Sequence, residues 1–142
     1  MSAPLYNAEI LRLAATIPHH ERLADPMATA EKRSAICGSR VTVDVALDEA
    51  GRVGDVGMLV RACALGQASS SLLAANVIGR TPEELAAARD ALTDWLAGTG
   101  ERPEWPGIDI FTPALDYSAR HPSIRLAFEA AAEAAAAARA AR

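Results

Sequence analysis

The hydrophobic pattern of this chain changes period along its length, and each change marks an element. Tyr6, Ile10, Leu13 and Ile17 recur at helical spacing and predict an amphipathic helix that stops before Pro18. Residues 18–36 carry no period. Pro-His-His-Glu-Arg-Leu-Ala-Asp-Pro followed by a polar, alanine-rich run predicts an irregular, mobile connection. From Val41 the period falls to two: Val41, Val43, Val45 and Leu47 alternate with Thr42, Asp44, Ala46 and Asp48. Asp48-Glu49-Ala50-Gly51 reads as a turn, and Val53 to Val60 as the returning strand, with Val56, Met58 and Val60 on one face.

Beyond Cys63 the spacing is helical again, over roughly residues 67–78, with Gly79 in the position of a helix C-cap. Thr81-Pro82-Glu83-Glu84 carries an N-cap, a proline at the first helical position and a capping-box glutamate. Leu85, Leu92, Trp95 and Leu96 form that helix's apolar stripe, which Gly98 ends. Residues 99–107 read as a loop and Ile108 to Leu115 as a short apolar segment. A last helix begins near His121-Pro122. Its end, 130–142, is mostly alanine; its helix propensity is high but its side chains offer little to bury, so fraying is expected. Trp95 and Trp105 read as a core anchor and a loop anchor.

The sum is an α+β fold: an antiparallel sheet built on a hairpin core and packed on one face by helices. The expected organisation is one domain over 1–142. It comprises an N-terminal helix and mobile segment (1–36), the hairpin (37–62), a helical part (63–129) and the alanine-rich tail (130–142).

Composition narrows the function. A net charge of −4 disfavours a nucleic-acid binder, which needs a basic face against phosphates. No apolar run is long enough for a transmembrane helix, and the first residues lack the basic start and apolar core of a secretion signal. Two cysteines make no disulfide framework; reduced thiols in the cytoplasm are the expectation. Ser69, Ser70 and Ser71 lie in no nucleophile turn, and no Gly-rich phosphate loop is present. The serines read instead as helix-terminus residues whose hydroxyls cap backbone N–H groups and whose small size lets the helix pack closely on the sheet.

The candidate chemistry sits on the cysteines. A hairpin returns its two ends to one place, and Cys37 and Cys63 bracket it. Near a helix N-terminus, partial positive charge favours thiolate, the form that binds metal or accepts sulfur. Cys37-Gly38, the hairpin, Cys63 and Ala68-Ser69-Ser70-Ser71-Leu72 together resemble the U-type iron–sulfur cluster assembly scaffolds: IscU, SufU and the N-terminal part of NifU. The resemblance runs over most of residues 5–130, Tyr6-Asn7 included.

That resemblance implies a non-enzymatic scaffold. Such a protein receives sulfur from a cysteine desulfurase, collects iron, assembles a [2Fe–2S] cluster and passes it to apo iron–sulfur proteins. Its usual ligands are three cysteines and an aspartate, often with a histidine before the third cysteine. Cys37 and Cys63 match the first two. The aspartate position is Ser39, the third cysteine falls at or beside Thr112, and the histidine position is Phe111. Threonine is a poor ligand for iron or zinc and phenylalanine is none. Asp116, one helical turn past Thr112, is the leading substitute ligand, with His19, His20 and His121 behind it. The implied cargo is thus a cluster, or a single iron or zinc ion, on Cys37 and Cys63 with Thr112 and Asp116 beside them. Two rivals stay open: an interaction or regulatory module on the same fold, and a persulfide carrier working through Cys63.

Overall fold

The structure, a computed structural model, describes residues 6–35 and 38–141. Its helices are α1 (Ala8–Ala15), α2 (Ala64–Asn76), α3 (Pro82–Ala97) and α4 (His121–Ala140). The strands are β1 (Ala28–Arg33), β2 (Arg40–Leu47) and β3 (Val53–Arg61), and 3-10 turns run over Ile108–Asp116 and Ser118–Arg120. The sheet is an antiparallel meander in the order β1-β2-β3.

The hairpin forms as its alternation predicts. Val43 pairs with Met58 and Val45 with Val56, and a shift after Ala46 brings Leu47 opposite Val53. The Asp48 carboxylate accepts the N–H groups of Ala50 and Arg52, and Gly51 takes φ +81°. The capping box also forms as read: Thr81 Oγ1 accepts Glu84 N–H, and the Glu84 carboxylate accepts Thr81 N–H. That bond to Thr81 N–H holds the Glu84 carboxyl below its ordinary pKa, against the opposing effect of burial.

Two expectations need correction. Residues 18–36 are not irregular throughout, because Ala28–Arg33 form β1 on the edge of β2. This strand carries few β-favouring residues; its partner's hydrogen-bonding edge makes it a strand. The alanine-rich tail is also not a frayed end. Ala130, Ala131, Ala132, Ala134, Ala135 and Ala138 are buried, as α4 lies between α3 and the Val41/Val43/Val45 face of the sheet. Lys32, on that face, pairs with Glu133 at 3.0 Å. Alanine buries little per residue, but many alanines on one helix let three layers approach closely. Enlarging one should force them apart. Ala131→Leu is expected to cost about 1–3 kcal/mol in urea unfolding; an unchanged midpoint would mean that the interface is loose.

The opposite sheet face is crossed by residues 19–23. Met58 N–H donates to His19 O (3.0 Å) and Glu21 O (3.1 Å), so the segment covers the free edge of β3. Gly57 has to lack a side chain here: a Cβ would overlap Glu21 O and lie 2.8 Å from Leu23 N. Beneath the segment Asp44 is fully buried. Its carboxylate accepts Arg22 Nε (2.7 Å) and Nη2 (3.0 Å), Leu23 N–H (3.0 Å) and Thr29 Oγ1–H (2.6 Å). Burial alone would raise this carboxyl's pKa. The hydrogen bonds from Arg22, Thr29 and Leu23 outweigh it and hold the group below the usual range.

Candidate functional site

The register brings the β1–β2 connection and the start of α2 to one end of the sheet. Arg33 pairs with Arg40, and Arg40 with Arg61, so the three strands finish in a common row. The β1–β2 connection leaves from this row, with Ser34 N–H donating to Ser39 O (2.9 Å) and Gly38 N–H to Ser34 O (3.0 Å). Cys37 belongs to this connection by sequence and lies outside the described residues. Cys63 follows Arg61 by two residues and starts α2.

Cys63 is the N-cap of α2, in an extended conformation (φ −67°, ψ 173°). Its carbonyl accepts Gln67 N–H at 2.9 Å, and its side chain makes no capping bond. The thiol is free and half-buried. Its sulfur stands at a helix start where the first backbone N–H groups lack helical partners.

The serines beyond it work differently from the expectation. The helix begins at Ala64, so Ser69, Ser70 and Ser71 stand inside it, buried, and their hydroxyls donate to carbonyls instead of capping N–H groups. Ser69 Oγ–H bonds Ile124 O of α4 (2.6 Å), Ser70 Oγ–H bonds Gly66 O (2.8 Å), and Ser71 Oγ–H bonds Thr16 O beyond α1 (3.0 Å). Their small size brings helices together: α2 packs chiefly on α1 and α4 and only lightly on β3. Trp105 anchors the loop as read, its Nε1–H on Leu72 O at 2.9 Å and its ring edge-on to Phe128.

The C-terminal candidates are spread out. Phe111 is buried in the core. Thr112 is exposed, and its hydroxyl donates to Asp109 O (2.8 Å), closing its own 3-10 turn. Asp116 is exposed. His121 is buried, with Nε2 2.8 Å from Ala114 O. His19 is exposed at φ +57°, and His20 Nε2 accepts Val60 N–H at 3.3 Å, three residues before Cys63. Among the described residues no hydrogen bond or ion pair joins Thr112 or Asp116 to Cys63, and no three His, Cys, Asp or Glu side chains gather as a metal-binding group. Two grooves of about 590 and 530 Å³ lie along α3, and neither is lined by Cys63.

The residue that the structure does bring to the start of α2 is Ser123. A Cβ on Gly66 would lie 3.2 Å from Ser123 O and 3.6 Å from Ser123 Cβ, so glycine lets the first turns of α2 and α4 meet. The Ser69 bond to Ile124 O locks that meeting. Ser123 is buried within the first turn of α4. Nothing local in His121-Pro122-Ser123 announces this; the packing of two helices distant in sequence creates it.

A family model, the NifU-like N-terminal domain, matches residues 5–104. The chain belongs to that family. This NifU-like chain is 43% identical to a crystal structure titled as a nitrogen-fixing NifU-like protein (N-terminal) from Brucella abortus. The TM-score is 0.90, with 96% of this chain and 95% of that one covered. A match so complete extends well past residue 104, into α4. FiSufU of Fervidobacterium islandicum AW-1, described as a scaffold protein candidate for the SUF system, shares the fold at 22% identity. Its TM-score is 0.83, over 92% of this chain and 96% of that one. In sequence, 81 residues (57% of the chain) are 28% identical to the iron–sulfur cluster assembly scaffold protein IscU of Streptococcus pyogenes serotype M1. The match spans 50% of that curated relative's length.

Proposed function

We propose that this NifU-like protein is a non-enzymatic scaffold in iron–sulfur cluster assembly that takes up sulfur and iron at Cys63 and Cys37 as labile cargo. The observation that carries this reading is the placement of Cys63, a half-buried free thiol at the start of α2, on the sheet end from which the Cys37 connection also leaves. Family membership supports it. The partners of such a role are a cysteine desulfurase and apo iron–sulfur proteins, and its place is the cytoplasm, where thiols stay reduced. Among the described residues no helix is long and apolar enough to cross a membrane.

The donor set limits how tightly cargo is held. A [2Fe–2S] cluster takes four protein ligands, commonly thiolates, and the chain owns two cysteines. We assign the third position to Ser123, whose backbone packs on Gly66, in preference to Thr112, whose hydroxyl closes its own turn. A hydroxyl there completes no iron site of ordinary strength, so loading is transient. The same shortage of thiolates favours a second reading, in which Cys63 relays a persulfide sulfur without iron.

Anaerobic reconstitution with iron and sulfide, followed by visible spectra and iron analysis, tests the first reading. Mass spectrometry after incubation with a cysteine desulfurase and cysteine tests the second, through addition of one sulfur atom to Cys63. Cys63→Ser is expected to abolish both gains while leaving thermal unfolding unchanged, since the sulfur makes no capping bond. Undiminished loading in that variant would remove Cys63 from the site.

A further inference from the structure

We propose that the sheet face opposite α4, at its cysteine end, docks an acidic polypeptide segment through Arg33, Arg40 and Arg61. As a statement about which partner reaches the cysteines, this rests on the scaffold reading above. The binding itself is a property of the sheet face.

Residues directly opposite one another on neighbouring strands share a face. Arg33, Arg40 and Arg61 are opposite one another across all three strands, so three guanidinium groups stand in one row. The next row holds Glu31, Thr42 and Leu59. Its single carboxylate is spent within the patch, on Arg33 Nε (3.2 Å), Arg40 Nε (3.6 Å) and the Thr42 hydroxyl (3.2 Å). One negative charge against three positive ones leaves two uncompensated, on a chain whose overall charge is −4. Like charges directly opposite on adjacent strands destabilise a sheet, so the row costs the free protein stability that an anionic partner restores. Arg33 and Arg61 are exposed and accessible to one.

The position gives the row its use. Arg33 and Arg40 flank the connection that carries Cys37, and Arg61 precedes Cys63 by two residues. The third row, Thr29, Asp44 and Gly57, lies under residues 19–23, so the open patch is bounded by that segment on one side and by the cysteine end on the other. Leu59, 37% exposed, adds an apolar contact between the arginines and the covered row. Carboxylates on a polypeptide meet guanidinium groups in bidentate pairs and bring apolar side chains with them. The phosphate backbone of a nucleic acid has no use for Leu59, and the chain's net negative charge repels it. The observations therefore favour an acidic protein segment.

The test is fluorescence anisotropy of a fluorescein-labelled, glutamate-rich decapeptide with a central leucine, titrated with the full chain. Binding that weakens steeply with salt is expected. The double variant Arg40→Glu/Arg61→Glu should weaken it at least about tenfold, and the milder Arg61→Gln several-fold with unaltered circular dichroism. Arg102→Glu, which reverses one charge in the 99–107 loop, should leave it unaltered. The proposal is overturned if the wild type does not bind, if Arg102→Glu weakens binding as much as the double variant, or if oligothymidylate binds in preference to the peptide. Cys63→Ser separates the two readings: it should lose cargo loading and bind the peptide as the wild type does. Loss of the peptide alone refutes the docking face, and absence of loading alone refutes the scaffold.

Discussion

Replacing Ser123 by cysteine is expected to raise iron and sulfide bound per chain several-fold after anaerobic reconstitution, with cluster absorption that persists through desalting. The reason is positional. Gly66 stands in the first turn of α2, three residues past Cys63, and without a side chain it lets Ser123 of α4 approach that turn. A thiolate at 123 would join Cys63, and Cys37 from the β1–β2 connection, as a third soft ligand, and iron–sulfur clusters are held by thiolates far better than by hydroxyls. The exchange swaps one small side chain for another of similar shape, so the helix contact should survive. Thr112→Cys is the matched control. Its side chain is exposed and belongs to a 3-10 turn, and no gain is expected. A gain at 112 with none at 123 would move the third position into the Ile108–Asp116 stretch.

Asp44→Asn should be the most destabilising conservative change on the sheet, by about 2–3 kcal/mol at neutral pH. The carboxylate accepts four hydrogen bonds while fully buried, and an amide cannot accept them all. Half of the Arg22 side chain is exposed, so water recovers part of what Arg22 loses. The pH dependence follows from the depressed carboxyl. A group whose pKa is lower folded than unfolded contributes its full stability above the unfolded value, about 3.9 for aspartate. That contribution is lost as pH falls through the folded value. Urea unfolding should therefore show a wide gap between wild type and variant at pH 7 that narrows below roughly pH 4. A gap of constant width would mean that Asp44 acts by shape and not by charge. Residues 19–23 should also lose protection from amide exchange in the variant, because Leu23 N–H and Arg22 are what the carboxylate holds.

Features governed by short-range rules were legible in the residues. The β2–β3 hairpin follows from a two-residue period joined by an Asp-to-Gly turn, and α3 from Thr81, Pro82 and Glu84 with Gly98 closing it at φ +81°. Each draws its main hydrogen bonds from residues near it in sequence, so its signals are written into one stretch of the chain. What the residues concealed depends on partners far along the chain. Ala28–Arg33 is a strand because β2 offers an unpaired edge, and the alanines of α4 are core because the sheet and α3 close around them.

The same division runs through the site. Sequence by itself determined which thiols the chain owns and that a helix follows the second, since these depend only on residue identity and spacing. Tertiary structure alone decided that the three consecutive serines bond helices to one another and that Ser123 meets the start of α2. It also decided that three arginines align beside the cysteine end. Each of these is a contact between surfaces that only chain folding brings together, and a periodicity along one segment carries no information about what another segment will press against it.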